Sequence, residues 1–192
     1  MSTSVADRRA QRRAQILAAA WDIAAEAGLA AVTLHEVARR VGIRQPSLYG
    51  HVTSKLDLYD AMFAQAYEQL LARLDAPPPC GSARDQLMRL SRVVLEFAVE
   101  SPPRQQLLFQ RTVPGFEPSP DSYALAKRLV DRCAGLLSAL GAGTAAHGDV
   151  FTALVAGLGA QQIANDPGGD RWTRHLEPLL DIFLDHFVPE GR

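Results

Sequence analysis

The side chains with the clearest chemical potential lie close together near the amino end of the sequence. Residues 33–55 contain hydroxyl, imidazole, guanidinium, amide and ammonium groups within little more than twenty positions. Such groups form hydrogen bonds in many directions, and the cationic ones also pair with phosphate. Their concentration in one short segment indicates a surface suited to a groove of DNA.

The residues between these polar groups predict two short helices joined by a turn. In residues 34–41 apolar side chains recur at i, i+3, i+4 and i+7, and Thr33 with Glu36 has the spacing of a capping box. Gly42 then ends the first helix, and Leu48 anchors the second beneath a polar face. This is the pattern of a helix-turn-helix motif, whose second helix enters the major groove of DNA.

A third helix is predicted to begin directly after the motif. Either Thr53 or Ser54 caps it, with Asp57 near its third position. Lys55 lies in its first turn, where free N–H groups and the helix dipole attract an anion, so we expect a phosphate contact there. Alternatively, these residues only cap helices and keep the surface hydrated.

The segment that ends at Leu56 resembles the DNA-binding domain of the tetracycline-repressor (TetR) family of one-component bacterial regulators. Residues 33–56 carry the resemblance, above all the step Leu48-Tyr49-x-His51 followed by Ser54-Lys55. It extends over residues 1–55 when the preceding helix is included, and the remainder matches only in length and helical character. The resemblance implies an effector-binding, homodimeric regulator of double-stranded DNA, most simply a repressor that a small organic effector releases from a palindromic operator.

The resemblance also assigns expected roles to individual residues. Gln45 and Ser47 are expected to face base edges, and Pro46 to contact a thymine methyl group or to fix the helix entrance. His35 stands where the tetracycline repressor itself has a base-reading arginine. Arg44, from its own chemistry, either pairs with guanine or clamps the DNA backbone. Phosphate contacts are expected from Thr33, Tyr49, His51 and Lys55.

Helical periodicity extends through the rest of the sequence and predicts an all-α protein of about nine helices. One helix covers residues 5–27, and a long helix over residues 54–75 joins the motif to the remainder. Residues 76–81 are rich in proline and mark a boundary. We therefore predict a helix-turn-helix domain over residues 1–55 and an effector-binding and dimerisation domain over residues 76–192.

The second domain is predicted to hold five further helices and a loop over residues 112–119. The helices are expected at residues 82–100, 101–110, 119–140, 146–165 and 171–187. As in the family, the middle helices are expected to surround a neutral or modestly polar organic effector, although their side chains also suit plain core or surface. The candidate lining residues are Leu87, Leu90, Phe97, Gln106, Phe109, Gln110, Phe116, Tyr123 and Gln161.

The last two helices carry broad apolar stripes, which the resemblance assigns to a four-helix homodimer interface. The expected interface residues are Phe151, Leu154, Leu158, Leu176, Leu180 and Phe183. Alternatively, both stripes close the core of one chain. Pro178 predicts either a kink in the last helix or a helix start at Glu177. A two-fold dimer would place two helix-turn-helix motifs in successive major grooves about 34 Å apart.

The charge of the chain is distributed unevenly. Residues 1–55 carry a net charge of +4 and residues 56–192 a net charge of −5, so the basic end is the expected nucleic-acid end. Four arginines of the first helix either contact phosphates or the minor groove, or form a hydrated tail. They are Arg8, Arg9, Arg12 and Arg13.

Cysteine usage and hydropathy bear on the compartment. Cys80 and Cys133 are far apart, no secretory signal is recognised, and no apolar run approaches the roughly 20 residues that span a bilayer. We therefore expect free thiols, a cytoplasmic location and no contact with a membrane. No cofactor or metal is expected to be needed for folding.

Two other classes of protein remain as alternatives. An enzyme would use the ionisable groups of His147, Asp149, Asp181, Asp185 and His186, but no metalloprotease, nucleophile-elbow, phosphate-loop or paired-cysteine motif accompanies them. We therefore expect no catalytic residues and no metal ligands. An all-helical interaction protein with a vestigial helix-turn-helix is the second alternative, and a tight, salt-sensitive operator complex would separate it from a regulator.

Overall fold

The computed structural model describes residues 5–76 and 80–188, which form nine α-helices, two 3₁₀ helices and no β-strand. The all-α fold with nine helices is therefore confirmed over the described residues. Part of the predicted boundary, residues 77–79, lies outside them, and the division into two domains stays a prediction. The helices are α1 (Val5–Ala27), α2 (Leu34–Val41), α3 (Gln45–Leu48), α4 (Lys55–Asp75), α5 (Ala83–Val99), α6 (Pro102–Phe109), α7 (Pro120–Ala139), α8 (Ala145–Asn165) and α9 (Leu176–Phe187).

Local capping explains where several helices begin. Ser82 and Asp85 form a reciprocal capping box at the start of α5. At α2, Thr33 Oγ1 accepts a hydrogen bond from the backbone N–H of Glu36 at 3.1 Å, but the Glu36 carboxylate pairs with Arg39 instead of completing the box. The α2 cap is therefore one-sided, which still satisfies one of the free N–H groups of the first turn.

The first four helices share one apolar core. The buried side chains of Ile16 from α1, Val37 from α2 and Leu48 from α3 belong to it together with residues of α4. Two polar contacts add to this packing: the Tyr59 hydroxyl donates to the Leu29 carbonyl oxygen at 2.5 Å, and Trp21 Nε1 donates to Gln65 Oε1 at 2.9 Å. These two hydrogen bonds join α4 to α1 and to the 3₁₀ turn Leu29–Ala31 that follows α1.

The remaining helices pack around α5, which contacts α4 and each of α6, α7, α8 and α9. Helix α4 also packs along α7, so it lies between the amino-terminal motif and the larger helical body. Within the described ranges, no helix is both long and apolar enough to cross a lipid bilayer.

The last helix begins later than the periodicity of the sequence suggests. Residues 171–175 are not part of α9, and Thr173–His175 form a 3₁₀ turn. Pro178 is the third residue of α9. The backbone N–H groups of the first turn have no partner within the helix, so a proline there breaks no helical hydrogen bond. Pro178 therefore lies in the first turn of α9 and does not kink the helix. The buried side chain of Gln162 holds the preceding turn, because its Oε1 accepts from the backbone N–H of Trp172 at 2.8 Å.

Candidate functional site

Helix α3 presents a polar face to solvent and is anchored from beneath by one side chain. Leu48 is fully buried, whereas Pro46 and Ser47 are exposed and Tyr49, directly after the helix, is 50% exposed. Gly42 adopts a left-handed conformation with φ of 73°, which lets the chain turn sharply between α2 and α3. These features are those of a helix-turn-helix motif with a free second helix.

The nine side chains predicted to contact DNA all lie in this segment, and none of them is buried. Thr33 and Arg44 occupy the N-cap positions of α2 and α3, and His35 is exposed in the first turn of α2. Gln45 Nε2 lies 3.5 Å from the hydroxyl of Tyr49, one turn further on. The structure therefore leaves all nine side chains at least partly accessible to solvent, while their contacts with DNA stay a prediction.

The start of α4 settles which residue caps that helix. Ser54 Oγ accepts from the backbone N–H of Asp57 at 3.0 Å, so Ser54 is the N-cap. Thr53 instead donates its backbone N–H to the Asp57 carboxylate at 2.6 Å. Lys55 Nζ donates to the Ala30 carbonyl oxygen at 3.1 Å. An ammonium group has three N–H donors, so this bond fixes the position of the charge and leaves donors for a phosphate.

Two arginines of α1 contact the turn that follows α3. Arg9 donates to the carbonyl oxygen of Gly50 at 3.2 Å, and Arg13 donates to the carbonyl oxygen of His51 at 3.1 Å. Partial burial, followed by the positive charges of Arg9, Arg12 and Arg13, lowers the pKa of His51. The arginines therefore support the polypeptide around His51, a role that the sequence alone did not indicate, although their i, i+4 spacing puts both on one helix face.

A cavity of about 490 Å³ lies in the larger helical body among α5, α7 and α8, with contributions from α4 and α6. Its size falls within the range of small-molecule binding pockets. Leu95 and Phe151 are buried in its wall, whereas Val130 and Asp149 are exposed at its opening. Cys133 also lines it, and burial raises the pKa of that thiol to about 11.

The predicted effector contacts agree with this cavity at two positions only, Leu90 and Phe109. Leu87 and Phe97 are fully buried elsewhere in the core, and the Phe97 ring lies between the guanidinium groups of two arginines. Phe116 packs against the aromatic rings of α4. The remaining candidates, none of them on the cavity wall, are Gln106, Gln110, Tyr123 and Gln161.

These differences have one physical cause. Periodicity identifies the buried face of each helix, but the residues of one face divide between the solid core and the cavity according to which helix packs opposite. The residues that the sequence reasoning missed are mainly on α7 and α8, such as Cys133 and Val155, together with Gln105 on α6.

The six residues predicted for the dimer interface lie largely inside the chain, and their role in dimerisation stays a prediction. Five of the six are buried inside a single chain: Phe151, Leu158, Leu176, Leu180 and Phe183. They have little surface left to bury against a partner, and they hold α8 to α9 instead, as the Phe151 and Phe183 rings 6.1 Å apart illustrate. Leu154 is half-buried. The exposed apolar side chains of these helices are Val150 and Ile182, the latter 64% exposed.

The residues of the enzyme alternative have structural contacts of their own. The imidazole of His147 packs 4.6 Å from the Phe187 ring, and Asp181 forms an ion pair with Arg84 at 2.5 Å. No group of three or more histidine, cysteine, aspartate or glutamate side chains in the described part of the chain is arranged to hold a metal ion.

The fold and this surface define the chain as a helix-turn-helix protein with a helical body that contains a ligand-sized cavity. Residues 16–62 match the family model described as bacterial regulatory proteins, tetR family. Over these residues the chain is therefore similar to the DNA-binding segment of the TetR family.

Part of the chain is also similar to named transcriptional regulators of the helix-turn-helix type. The HTH-type transcriptional regulator Rv1816 of Mycobacterium tuberculosis is 30% identical over 128 residues, which cover 65% of this chain and 55% of that protein. The chain thus spans about half the length of this relative. The HTH-type transcriptional activator FasR of Mycolicibacterium smegmatis is 38% identical over 64 residues, or 33% of this chain and 29% of that protein.

A solved structure extends the similarity to the whole fold. The transcriptional regulator FadR from Bacillus subtilis, crystallised in complex with stearoyl-CoA, superimposes with a TM-score of 0.71 at 15% identity. The superposition covers 93% of this chain and 99% of that structure. The larger helical body therefore shares the fold of that structure, as the amino-terminal motif does.

Proposed function

We propose that this protein is a transcriptional regulator that binds specific sequences in double-stranded DNA through α3. The observation that carries the proposal is the exposed polar surface of α3 above the buried Leu48, within the segment that matches the family model. Gln45 and Ser47 face base edges in the major groove, where amide and hydroxyl groups distinguish base pairs. Arg44 pairs with a guanine or with the backbone nearby.

Contacts with DNA phosphates on both sides of the groove hold the helix-turn-helix motif in place. Lys55, fixed by the Ala30 carbonyl, and His51, supported by the α1 arginines, contact the backbone together with Thr33 and Tyr49. Contacts of this kind supply affinity and position without sequence information, whereas the α3 contacts supply the sequence preference.

Two copies act together as a homodimer in the cytoplasm. The exposed faces of α8 and α9 around Val150 and Ile182 supply the apolar surface for this association. A two-fold dimer presents two α3 helices to two half-sites, which requires an operator with inverted repeats. One module alone would make too few contacts for stable binding.

An organic effector in the cavity controls DNA binding, and the protein acts as a repressor that the effector releases. The cavity wall includes α7, and α7 is bonded at its amino end to α4, which begins at Lys55. In the dimer, the two helix-turn-helix motifs can lie at different distances from each other. An effector that binds one of these conformations more tightly increases the population of that conformation, and the difference in affinity sets the size of the shift.

Selection of bound duplexes from a random or genomic pool tests this proposal. The expected product is an inverted repeat whose half-site centres are about one or a few helical turns apart. Transcription of a reporter behind that sequence should fall when the protein is produced. No preference for any duplex at low ionic strength would overturn the proposal, and a rise in transcription would replace repression with activation.

A further inference from the structure

The side chain of Gln105 on α6 is an unpaired polar group in the cavity wall. Gln105 is only 3% exposed and lines the cavity, and its Oε1 is buried without a hydrogen-bond partner. Its amide lies against Gly159 of α8, whose Cβ position is 3.6 Å from Nε2. A side chain at this position would therefore contact the amide.

The other polar residues that are buried as a whole among the described residues have hydrogen-bond partners. Three further buried atoms without a partner belong to side chains that are partly exposed and lie outside the cavity wall: Arg104 Nε, His147 Nδ1 and Trp172 Nε1. Ser91 donates to the Leu87 carbonyl oxygen at 2.8 Å, Ser122 donates to the Asp60 carboxylate at 2.9 Å, and Gln162 accepts from the N–H of Trp172 at 2.8 Å. A buried carbonyl without a partner is destabilising, and such groups are rare in native proteins. Among the described residues of the cavity wall, Gln105 carries the unpaired buried atom, and its hydrogen bonds remain available to a molecule inside the cavity.

The remaining lining limits the charge of that molecule. Among the described residues that line the cavity there is no lysine, arginine or histidine, and the single charged side chain is the exposed carboxylate of Asp149. An anionic head group would find no cation at the inner wall and would be repelled at the opening. A buried charge without a partner is strongly unfavourable, so the lining favours an uncharged molecule.

We propose that the cavity binds an uncharged, mainly apolar organic molecule whose hydroxyl or amide group forms hydrogen bonds with Gln105. This proposal rests on the proposed function, because it specifies the effector class of that site. The proposed ligand differs from stearoyl-CoA, the ligand in the FadR structure. The phosphates of stearoyl-CoA are anionic, and the charged side chain at the opening of this cavity is the carboxylate of Asp149.

Calorimetric titration of the full chain with n-decanol, decanoate and stearoyl-CoA tests the class of ligand. We expect n-decanol to bind more tightly than decanoate by at least about tenfold near pH 8, where decanoate is ionised. Equal or tighter binding of decanoate or stearoyl-CoA, or the absence of saturable n-decanol binding, would overturn the proposal. The titration contains no DNA, so its outcome is independent of whether an operator is found.

Two variants test the role of the amide. Gln105→Met keeps the shape of the side chain but removes its hydrogen bonds, so n-decanol should bind about tenfold more weakly. Gln106→Met, on the same helix but outside the cavity wall, should bind n-decanol as the unchanged protein does. Loss of affinity in both variants, or in neither, would contradict the assignment.

Thermal unfolding without ligand provides a second readout. Because Gln105→Met removes an unpaired buried amide, this variant should melt at the same temperature as the unchanged protein or above it. A clear decrease in melting temperature would show that the amide has a structural partner and would overturn the proposal.

The site of binding can be checked through Cys133. In a Cys80→Ser variant Cys133 is the single thiol, and it lines the cavity. Alkylation of Cys133 at alkaline pH should become several-fold slower when n-decanol is bound. Unchanged alkylation at saturating n-decanol would place the alcohol elsewhere and refute the assignment.

Discussion

The carboxylate of Asp60 on α4 accepts hydrogen bonds from both the backbone N–H and the hydroxyl of Ser119, the N-cap of α7, at 2.8 Å each. The hydroxyl of Ser122 donates to the same carboxylate at 2.9 Å. Asp60 thus joins the helix that begins at Lys55 to a helix that lines the cavity. These bonds are a polar connection between the helices that carry the two proposed sites.

We expect Asp60→Ala to weaken communication between effector and DNA. Loss of hydrogen bonds to a charged group should lower stability by about 1.5–3 kcal/mol. Effector affinity should be retained, whereas the effector should reduce operator affinity by a much smaller factor than in the unchanged protein. Operator titrations with and without effector measure that factor.

The matched control for Asp60 is Asp131→Ala, which removes an exposed ion pair with Lys127 on α7. Exposed pairs contribute little, so both stability and the effector response should be nearly unchanged. If Asp60→Ala responds to the effector as fully as Asp131→Ala does, the Asp60 bonds are structural only.

Gln45→Ala and Lys55→Met should affect DNA binding in different ways. Gln45→Ala should cost about 1–3 kcal/mol and relax the preference at one base position. Lys55→Met should weaken binding to all duplexes. It should also reduce the slope of log affinity against log salt concentration by the amount that corresponds to about one phosphate contact per protomer. Binding isotherms at several salt concentrations, on the operator and on single-base variants, separate the two. An equal loss of sequence preference in both variants would contradict the assigned roles.

Operator binding should become tighter as the pH falls toward the titration range of His51. Burial and neighbouring arginines lower the pKa of His51 in the free protein, whereas a bound phosphate would raise it. The complex therefore holds more protons than the free protein near pH 6, and linkage requires affinity to rise as pH decreases. Measurements from about pH 8 to about pH 5.5 cover the unperturbed histidine value.

His51→Gln should remove most of this pH dependence, and His35→Gln, at the exposed histidine of α2, should retain it. An affinity that is independent of pH in the unchanged protein, or a dependence that persists in His51→Gln, would exclude a phosphate contact at His51.

Substitutions at two neighbouring residues of α9 should affect dimer formation and protomer stability separately. Ile182 is 64% exposed and Phe183 is 3% exposed. Ile182→Glu should weaken the dimer by about 3–5 kcal/mol through an unpaired interfacial charge, without unfolding the protomer. Phe183→Ala should instead destabilise the protomer by about 3–5 kcal/mol. Sedimentation and thermal unfolding distinguish these effects.

Tyr123→Glu, at an exposed aromatic residue of α7, is the control for introducing a surface charge. It should leave the dimer intact. A dimer that also survives Ile182→Glu would place the interface on another face.

Helix starts and ends followed from local chemistry and were therefore predictable. Residues 5–27, predicted as the first helix, are helical in the structure, and Ser82 with Asp85 forms the expected capping box. Gly42 ends α2 in the left-handed conformation that glycine favours. The late start of α9 was missed because the turn before it is held by Gln162, a contact between segments that periodicity does not report.

The binding surfaces were less predictable because they depend on which helices meet. Gln105 and Gln106 are adjacent in a short helix with the same residue type, yet only Gln105 lies on the cavity wall. Phe183 and Ile182 are likewise adjacent apolar residues with opposite exposure. In contrast, the accessibility of the side chains around α3 could be predicted because it depends on one short local motif.

Site-directed cleavage from α3 would test most directly whether this helix enters the major groove. The experiment places a cysteine at Ser47 in a Cys80→Ser, Cys133→Ser background, attaches an iron chelate and maps strand breaks on the selected operator. We predict breaks confined to the two half-sites, with a cysteine at Asp131 on α7 producing none. Breaks that are spread evenly along the duplex, or absent while the protein is bound, would contradict DNA recognition by α3.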